Sequence, residues 1–408
     1  HWAENAYGTT VMAALLPVYY SHVAASTLTA NQATVYWGYT NTIALLLVAI
    51  LSPMLGTIAN LLGIRKKLLL IFTSIGIFTS ATLYFVTSGD WLMASVIFIV
   101  GNIGFALSDV FHDSFLPHIA KPEDIDRVSS RGFAIGYLGG GIMLAINIAM
   151  IQLMSDKELA ARLSFVSVSI WWAVFTIPLI LNVKEPDKTG KGNGSALTEG
   201  FRELSKTFHN IKRYRQLSIF LIAFLIYNDG IGTIFKMATI YGAELGLGRN
   251  TLIGALLLAL FVGAPSAFFF GWLAKRIGAK KCIYICLFGY MLISIGGFFI
   301  SKPIDFWILG AAVGTVMGGA QALSRSYFGS MIPKAKTAEF FGFYGMSSRL
   351  GGFLGPLVFA VVGQMTGNSR YAIVSLLIFF ILGAILLMHV DEKEGLKIAH
   401  EEDIEIGQ

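Results

Sequence analysis

Charge is what this sequence has least of. Charged side chains are 13% of its 408 residues, against about 25% in an ordinary soluble protein. Hydrophobic side chains are 55%, and the mean hydropathy is +0.69. So few charges cannot clothe the two or three water-soluble domains that the length would otherwise suggest, so most of the chain must be solvated by lipid. Cysteine is nearly missing too. Two residues, Cys282 and Cys286, exclude a disulfide framework. They lie one helical turn apart without a third or fourth ligand nearby in sequence, which reads as packing; no metal site is expected. A glycine loop ending in Gly-Lys-Ser/Thr is absent, which argues against ATP-driven work. No nucleophile–base pattern suggests an enzyme, and no cofactor motif is present. The net charge of +6 comes from short basic loops, which suit anionic lipid and not a nucleic-acid groove.

What is there instead is long apolar runs. A helix needs about 20 apolar residues to cross a bilayer, and such runs occur near 1–26, 33–60, 67–87, 91–116, 130–153 and 163–183. Six more follow near 217–241, 250–273, 281–300, 305–332, 338–365 and 370–389. The expected architecture is therefore all-α and integral to the membrane, with 12 transmembrane helices in two six-helix bundles, 1–183 and 217–390. Between them lies a polar linker, 184–216, with a flexible Gly/Lys part and an amphipathic stretch from Leu197 to His209; an acidic, solvated tail, 391–408, closes the chain. The first run opens at His1 without an initiator methionine or a leader, so the start is expected to be trimmed.

Lys and Arg set the orientation. Of 30 such residues, 22 fall in alternating loops, the linker and the tail, while the opposite loops hold Lys157, Arg162, Arg249, Lys302 and Arg370. Positive loops stay cytoplasmic, so both termini are expected there, in a bacterial inner (plasma) membrane.

The two sets of six are related. Gly56-Thr57-Ile58-Ala59-Asn60-Leu61-Leu62-Gly63-Ile64-Arg65-Lys66 recurs as Gly271-Trp272-Leu273-Ala274-Lys275-Arg276-Ile277-Gly278-Ala279-Lys280-Lys281, 215 residues later. Ala106-Leu107-Ser108-Asp109 recurs as Ala322-Leu323-Ser324-Arg325, and Ser129-Ser130-Arg131 as Ser347-Ser348-Arg349. A parallel repeat of this kind implies a pseudo-twofold axis along the membrane normal and a site at the interface. The paired glycine–basic loops resemble the signature of the major facilitator superfamily across the whole chain. Where that family carries an acid, this chain has Asn60 and Lys275, which sets aside the charge-relay role of that acid. The opening His1-Trp2-Ala3-Glu4-Asn5-Ala6-Tyr7-Gly8-Thr9-Thr10, with Leu16-Pro17-Val18-Tyr19-Tyr20, is similar to bacterial permeases related to the fungal vacuolar amino-acid effluxer. That resemblance implies a secondary transporter of a small, amino-acid-like solute.

Ionisable groups at membrane depth cost at least about 2.5–3.5 kcal/mol, so they mark a cavity or a partner. They fall in span 1 (Glu4), span 4 (Asp109, His112, Asp113), span 7 (Asp229, Lys236) and span 10 (Arg325), with Arg131 and Arg349 near the ends of spans 5 and 11. By resemblance, spans 1, 4, 7 and 10 line the facilitator cavity. Asp109 and Arg325 are pseudo-equivalent and predict an inter-bundle salt bridge; the alternative is neutralisation within each bundle, for example Asp113 by Arg131. Tyr227-Asn228-Asp229-Gly230, beside glycines that weaken span 7, reads as a coordination point matched by Glu4-Asn5. Lys236 then either holds a substrate carboxylate together with Arg325 or pairs with Glu4 or Asp229. Tyr7 and Gln321 complete the expected binding set. Coupling is expected to protons, carried by an intramembrane acid or His112, with sodium the alternative. The chain is read as a monomer in the bilayer. Competing readings are an exporter of drug-like or lipid-like amphiphiles and a non-transporting sensor or scramblase.

Overall fold

The computed structural model of the protein describes residues 1–185, 213–352 and 354–407. Most of the expected linker, including Leu197 to His209, lies outside them. Among the described residues the chain is helical throughout, and eleven helices are long and apolar enough to cross a membrane. The first expected span differs. It runs as three consecutive pieces, Tyr7–Leu15, Leu16–Tyr19 and Tyr20–Ala24, which together form α1; the outer two are wound as π-helix, so α1 is not among the eleven.

The spans that follow are α2 (Ala30–Leu62), α3 (Arg65–Thr82), α4 (Trp91–Ser114), α5 (Ile125–Leu153) and α6 (Lys157–Asn182). The second set comprises α7 (Arg215–Glu244), α8 (Arg249–Ile277), α9 (Ala279–Phe298) and α10 (Pro303–Ser330). The eleventh span is two helices, α11 (Thr337–Leu350) and α12 (Leu354–Thr366), and α13 is bent at Leu376 between Ser369–Ser375 and Leu377–Met388. Apolar side chains such as Ile50, Phe78, Leu181, Phe288 and Met388 stay exposed on outer faces, as lipid solvation requires.

The two sets of six meet along α2–α11 and α5–α8, and glycine makes the approach possible. A Cβ on Gly56 would sit 2.2 Å from the Ala338 carbonyl oxygen, and one on Gly342 would sit 2.5 Å from that of Ser52. Gly271 packs in the same way on Ser130. These contacts lie towards the face that carries the basic loops, and polar ties close the same face. Each glycine–basic loop reaches the turn ahead of the fifth span of the other set. Arg65, 1% exposed, contacts His118 and donates to the Ala335 carbonyl; Lys275 Nζ lies 2.6 Å from Asp124 Oδ1. Asn60, standing where the superfamily has an acid, accepts from the Ala338 N–H at 3.2 Å.

The acidic tail is not simply solvated. It forms α14 (Glu392–Gly407), whose Glu402 is buried and accepts from Tyr214 and Lys336, each at 2.6 Å. Burial and the Glu402 carboxylate push the Tyr214 phenol up to about 12.

Span 7 also departs from expectation. The glycines at 230 and 232 do not interrupt α7. Gly230 instead lets α13 approach, since a Cβ there would meet Phe379 and Phe380 at 2.9–3.0 Å. The interruption falls in span 11, where Gly351-Gly352 ends one helix and Gly355-Pro356 opens the next; a proline is tolerated in a first helical turn because it lacks a donor that would be unpaired anyway. Asp229, 1% exposed, caps this second piece: its Oδ2 accepts from the Gly355 N–H at 2.8 Å, where the helix dipole favours a negative group. Asp229 is therefore a structural cap. Removing it as Asp229→Ala is expected to cost about 0.5–2 kcal/mol and to lower the melting temperature in detergent by a few degrees, while leaving ligand affinity within twofold. An unchanged melting temperature with lost ligand binding would refute the capping role.

Candidate functional site

A cavity of about 180 Å³ lies between the two sets of helices. Its wall on one side is Glu4 and Asn5 ahead of α1, Asp109 and Asp113 on α4, and Phe133 on α5; on the other it is Phe224 and Asn228 on α7, Gln321 on α10, and Tyr344 and Ser348 on α11. Spans 1, 4, 7 and 10 do converge on one chamber, and spans 5 and 11 join them. Helix periodicity brings Asp109 and Asp113 to one face of α4, and the same face delivers Phe105.

Arg325, 3% exposed, crosses from α10 to the other set. Its Nη1 donates to Asp113 Oδ1 at 2.6 Å, its Nε to Ser129 Oγ at 2.9 Å and its Nη2 to the Ser129 carbonyl at 3.0 Å. The guanidinium lies over the Phe133 ring at 4.6 Å and touches His1. An inter-bundle bridge therefore exists, but its acid is Asp113 and not the pseudo-equivalent Asp109. The reason is depth: Asp113 lies on the same face of α4 but one turn nearer the basic end, where the same guanidinium also reaches the Ser129 carbonyl. Arg131, the alternative partner for Asp113, is exposed and plays no part in this cluster. Asp109 instead faces the cavity and shares a small adjoining pocket with Arg349, which lies 5.3 Å over the Phe105 ring.

The remaining expectations divide. Glu4, Asn5, Asn228 and Gln321 line the cavity as expected. Asn228 Nδ2 donates to the Ser348 carbonyl at 3.3 Å, and the Tyr137 hydroxyl donates to Gln321 Oε1 at 2.5 Å, closing the floor between α5 and α10. Four others are elsewhere. Tyr7 is buried within the first set against Phe105 and Trp172. Tyr227 shares a 2.6 Å hydrogen bond with Ser324 inside the second. Asp229 caps α12. Lys236 donates to the Gly352 carbonyl at 3.0 Å and pairs with neither Glu4 nor Asp229 within 4.0 Å. Glu4 meets histidines instead, His1 at 2.7 Å and His112 at 3.6 Å. Sequence reasoning missed His1, Phe105, Phe133, Phe224, Tyr344 and Ser348. Only Ser348 carried a signal, as a member of the repeated Ser-Ser-Arg.

Breaking a buried pair by removing one partner costs about 3–5 kcal/mol because the other charge is left uncompensated. Asp113→Asn and Arg325→Gln are each expected to lower the melting temperature and reduce transport at least tenfold. The exchange Asp113→Arg with Arg325→Asp should recover a substantial part of both, whereas Asp109→Arg with Arg325→Asp should not. Arg131→Ala should change stability by less than about 0.5 kcal/mol. Equal rescue by the two exchanges would reject the assignment.

Known proteins agree with this architecture. Residues 21–400 match the family described as Vacuole effluxer Atg22 like. The chain is 38% identical to the uncharacterized MFS-type transporter YxiO of Bacillus subtilis, over 98% of this chain and 95% of that one. It is 25% identical to autophagy-related protein 22-1 of Penicillium rubens, over 86% of this chain and 75% of the relative. Among solved structures, the proton:xylose symporter XylE superposes with a TM-score of 0.75 at 13% identity, covering 98% of this chain and 96% of that one, which speaks for the fold. A chamber between two packed sets of helices, a fold shared with facilitators and a family match over most of the length lead to one conclusion: this chain is a multi-pass membrane transporter, not an enzyme, and belongs to the Atg22-like family of the major facilitator superfamily.

Proposed function

We propose that the protein is a secondary active transporter of a small zwitterionic, amino-acid-like solute, coupled to protons and working by alternating access. One observation carries the reading: the cavity is small and rich in polar groups, with carboxylates on its wall and the Arg349 guanidinium in the adjoining pocket. At about 180 Å³ it falls below the roughly 300–1,000 Å³ typical of pockets for drug-sized ligands, which disfavours the amphiphile exporter. Glu4 and Asp109 offer an ammonium group its partners, Arg349 stands beside Asp109 for a carboxylate, and Asn5, Asn228, Gln321 and Ser348 supply neutral hydrogen bonds. The binding role passes from Asp229 and Lys236 to these residues.

The inter-set polar ties of the described residues gather at the basic face, from Tyr137–Gln321 down to Lys275–Asp124. This is the arrangement expected when the cavity serves the opposite side. With the basic loops cytoplasmic, in a bacterial inner membrane, the state is outward-facing. Three carboxyls, Glu4, Asp109 and Asp113, share one small space, and a proton on one of them relieves their mutual repulsion. Asp109, with no cation nitrogen within 4.0 Å among the described residues, is the proposed proton carrier.

Proteoliposomes test this. Labelled amino acids should move when a proton gradient is imposed, and sugars or hydrophobic cations should not. Asp109→Asn should abolish gradient-driven movement at least tenfold yet retain exchange of substrate across the membrane. Gradient-driven movement that survives Asp109→Asn would remove the coupling role, and transport of amphiphiles alone would remove the substrate class.

A further inference from the structure

We infer that the chamber contains a binding site for a first-row divalent cation of the zinc class, held by His1, Glu4, Asp109 and His112. One imidazole nitrogen or carboxylate oxygen from each of these four lies within 4.8 Å of all the others. Glu4 Oε1 stands at the centre, 2.7 Å from His1 Nδ1 and 3.6 Å from His112 Nδ1. Zinc bonds of about 2.0–2.1 Å in a tetrahedron place ligand atoms roughly 3.3 Å apart, so the group is already near the required spacing.

A second observation points to a ligand. Glu4 is only 6% exposed, and the neighbouring His112 Nδ1, 3.6 Å from Glu4 Oε1, is buried without a hydrogen-bond partner. Buried polar atoms are ordinarily satisfied. Here an unsatisfied imidazole nitrogen faces the Glu4 carboxylate, and His1, Glu4 and Asp109 all open onto the cavity. Two imidazoles with two carboxylates form a donor set that suits zinc and its first-row neighbours; magnesium and calcium prefer oxygen alone.

The site is also wired to the inter-bundle bridge. His1 Nε2 touches the Arg325 guanidinium and lies 3.7 Å from Asp113 Oδ1. A guanidinium can only donate, so Nε2 accepts and Nδ1 carries the hydrogen towards Glu4. A cation that takes Nδ1 moves that hydrogen to Nε2, which then faces a donor. Arg325 loses an acceptor, and the imidazole N–H turns to Asp113, the carboxylate that Arg325 holds at 2.6 Å. A carboxylate behind a metal-bound histidine is the common supporting arrangement. Cation binding thus competes with Arg325 for Asp113 and loosens the tie that closes the basic face. The inference goes beyond the amino-acid reading and does not need it.

The test is calorimetric titration of the purified full chain, freed of any affinity tag, with zinc chloride and separately with magnesium chloride. One saturable zinc per chain is expected, with no magnesium binding at the same concentrations. Glu4→Gln and His112→Gln should each weaken zinc at least tenfold, and Asp229→Ala should leave it unchanged. Cobalt(II) added to the unmutated chain should give the intense visible absorption of a four-coordinate site and be displaced by zinc, a readout that no variant's folding can obscure. Absence of saturable zinc binding, a six-coordinate cobalt spectrum, or equal affinity in folded Glu4→Gln and His112→Gln would overturn the site. Amino-acid movement in chelator-treated vesicles separates the two proposals: transport without zinc binding sinks only this inference, and zinc binding without transport sinks only the amino-acid reading.

Discussion

The molecule depends on one constraint, the cost of keeping ionised groups in hydrocarbon. Arg325 and Asp113 meet at 2.6 Å with almost no exposure, and neither could be buried alone at a cost of less than several kcal/mol. Each belongs to a different set of helices, so the arrangement that satisfies both draws the sets together. The fork of Arg325 onto Ser129 adds two further bonds to the same junction. Charge neutralisation and closure at the basic face are thereby a single event, and whatever perturbs one perturbs the other.

Backbone proximity makes that event sterically possible. Gly56 against Ala338 and Gly342 against Ser52 remove the side chains that would otherwise hold α2 and α11 apart. In lipid, where apolar surface gains little by leaving the solvent, such close contact supplies the dispersion attraction that apolar burial supplies in water. Gly271 on Ser130 repeats the device across the pseudo-twofold axis. The basic loops then bind the opposing turns, Arg65 towards Ala335 and Lys275 towards Asp124, so charge and packing act at the same level.

Where sequence reasoning succeeded and failed follows from the range of each interaction. The chamber-lining spans were legible because buried charge is costly wherever it occurs along a helix, and Glu4, Asp109 and Asp113 announced themselves. Asp229 announced itself equally, yet the structure places it off the cavity wall. Its partner is the N–H of Gly355, exposed only because span 11 breaks at Gly351-Gly352, and nothing local to α7 records that break. Repeat symmetry likewise pointed from Arg325 to Asp109, whereas a shift of one helical turn gives the bond to Asp113. The tail was acidic and read as solvated, but Tyr214 and Lys336 give Glu402 a buried seat.

Composition, run length and the duplicated loops were sufficient for the membrane class, because such properties depend on sums over many residues and on one-dimensional order. The superfamily is written in the same repeated loops, and the resemblance to the fungal effluxer in the opening residues His1 to Tyr20. Tertiary structure alone decided which acid meets Arg325, that Lys236 lies off the cavity, that His1 stands beside Glu4 and His112, and that the basic face is the closed one. These are decided by the rotation and depth of one helix against another. A displacement of a single turn changes the partner, and that displacement is fixed by packing between residues hundreds of positions apart.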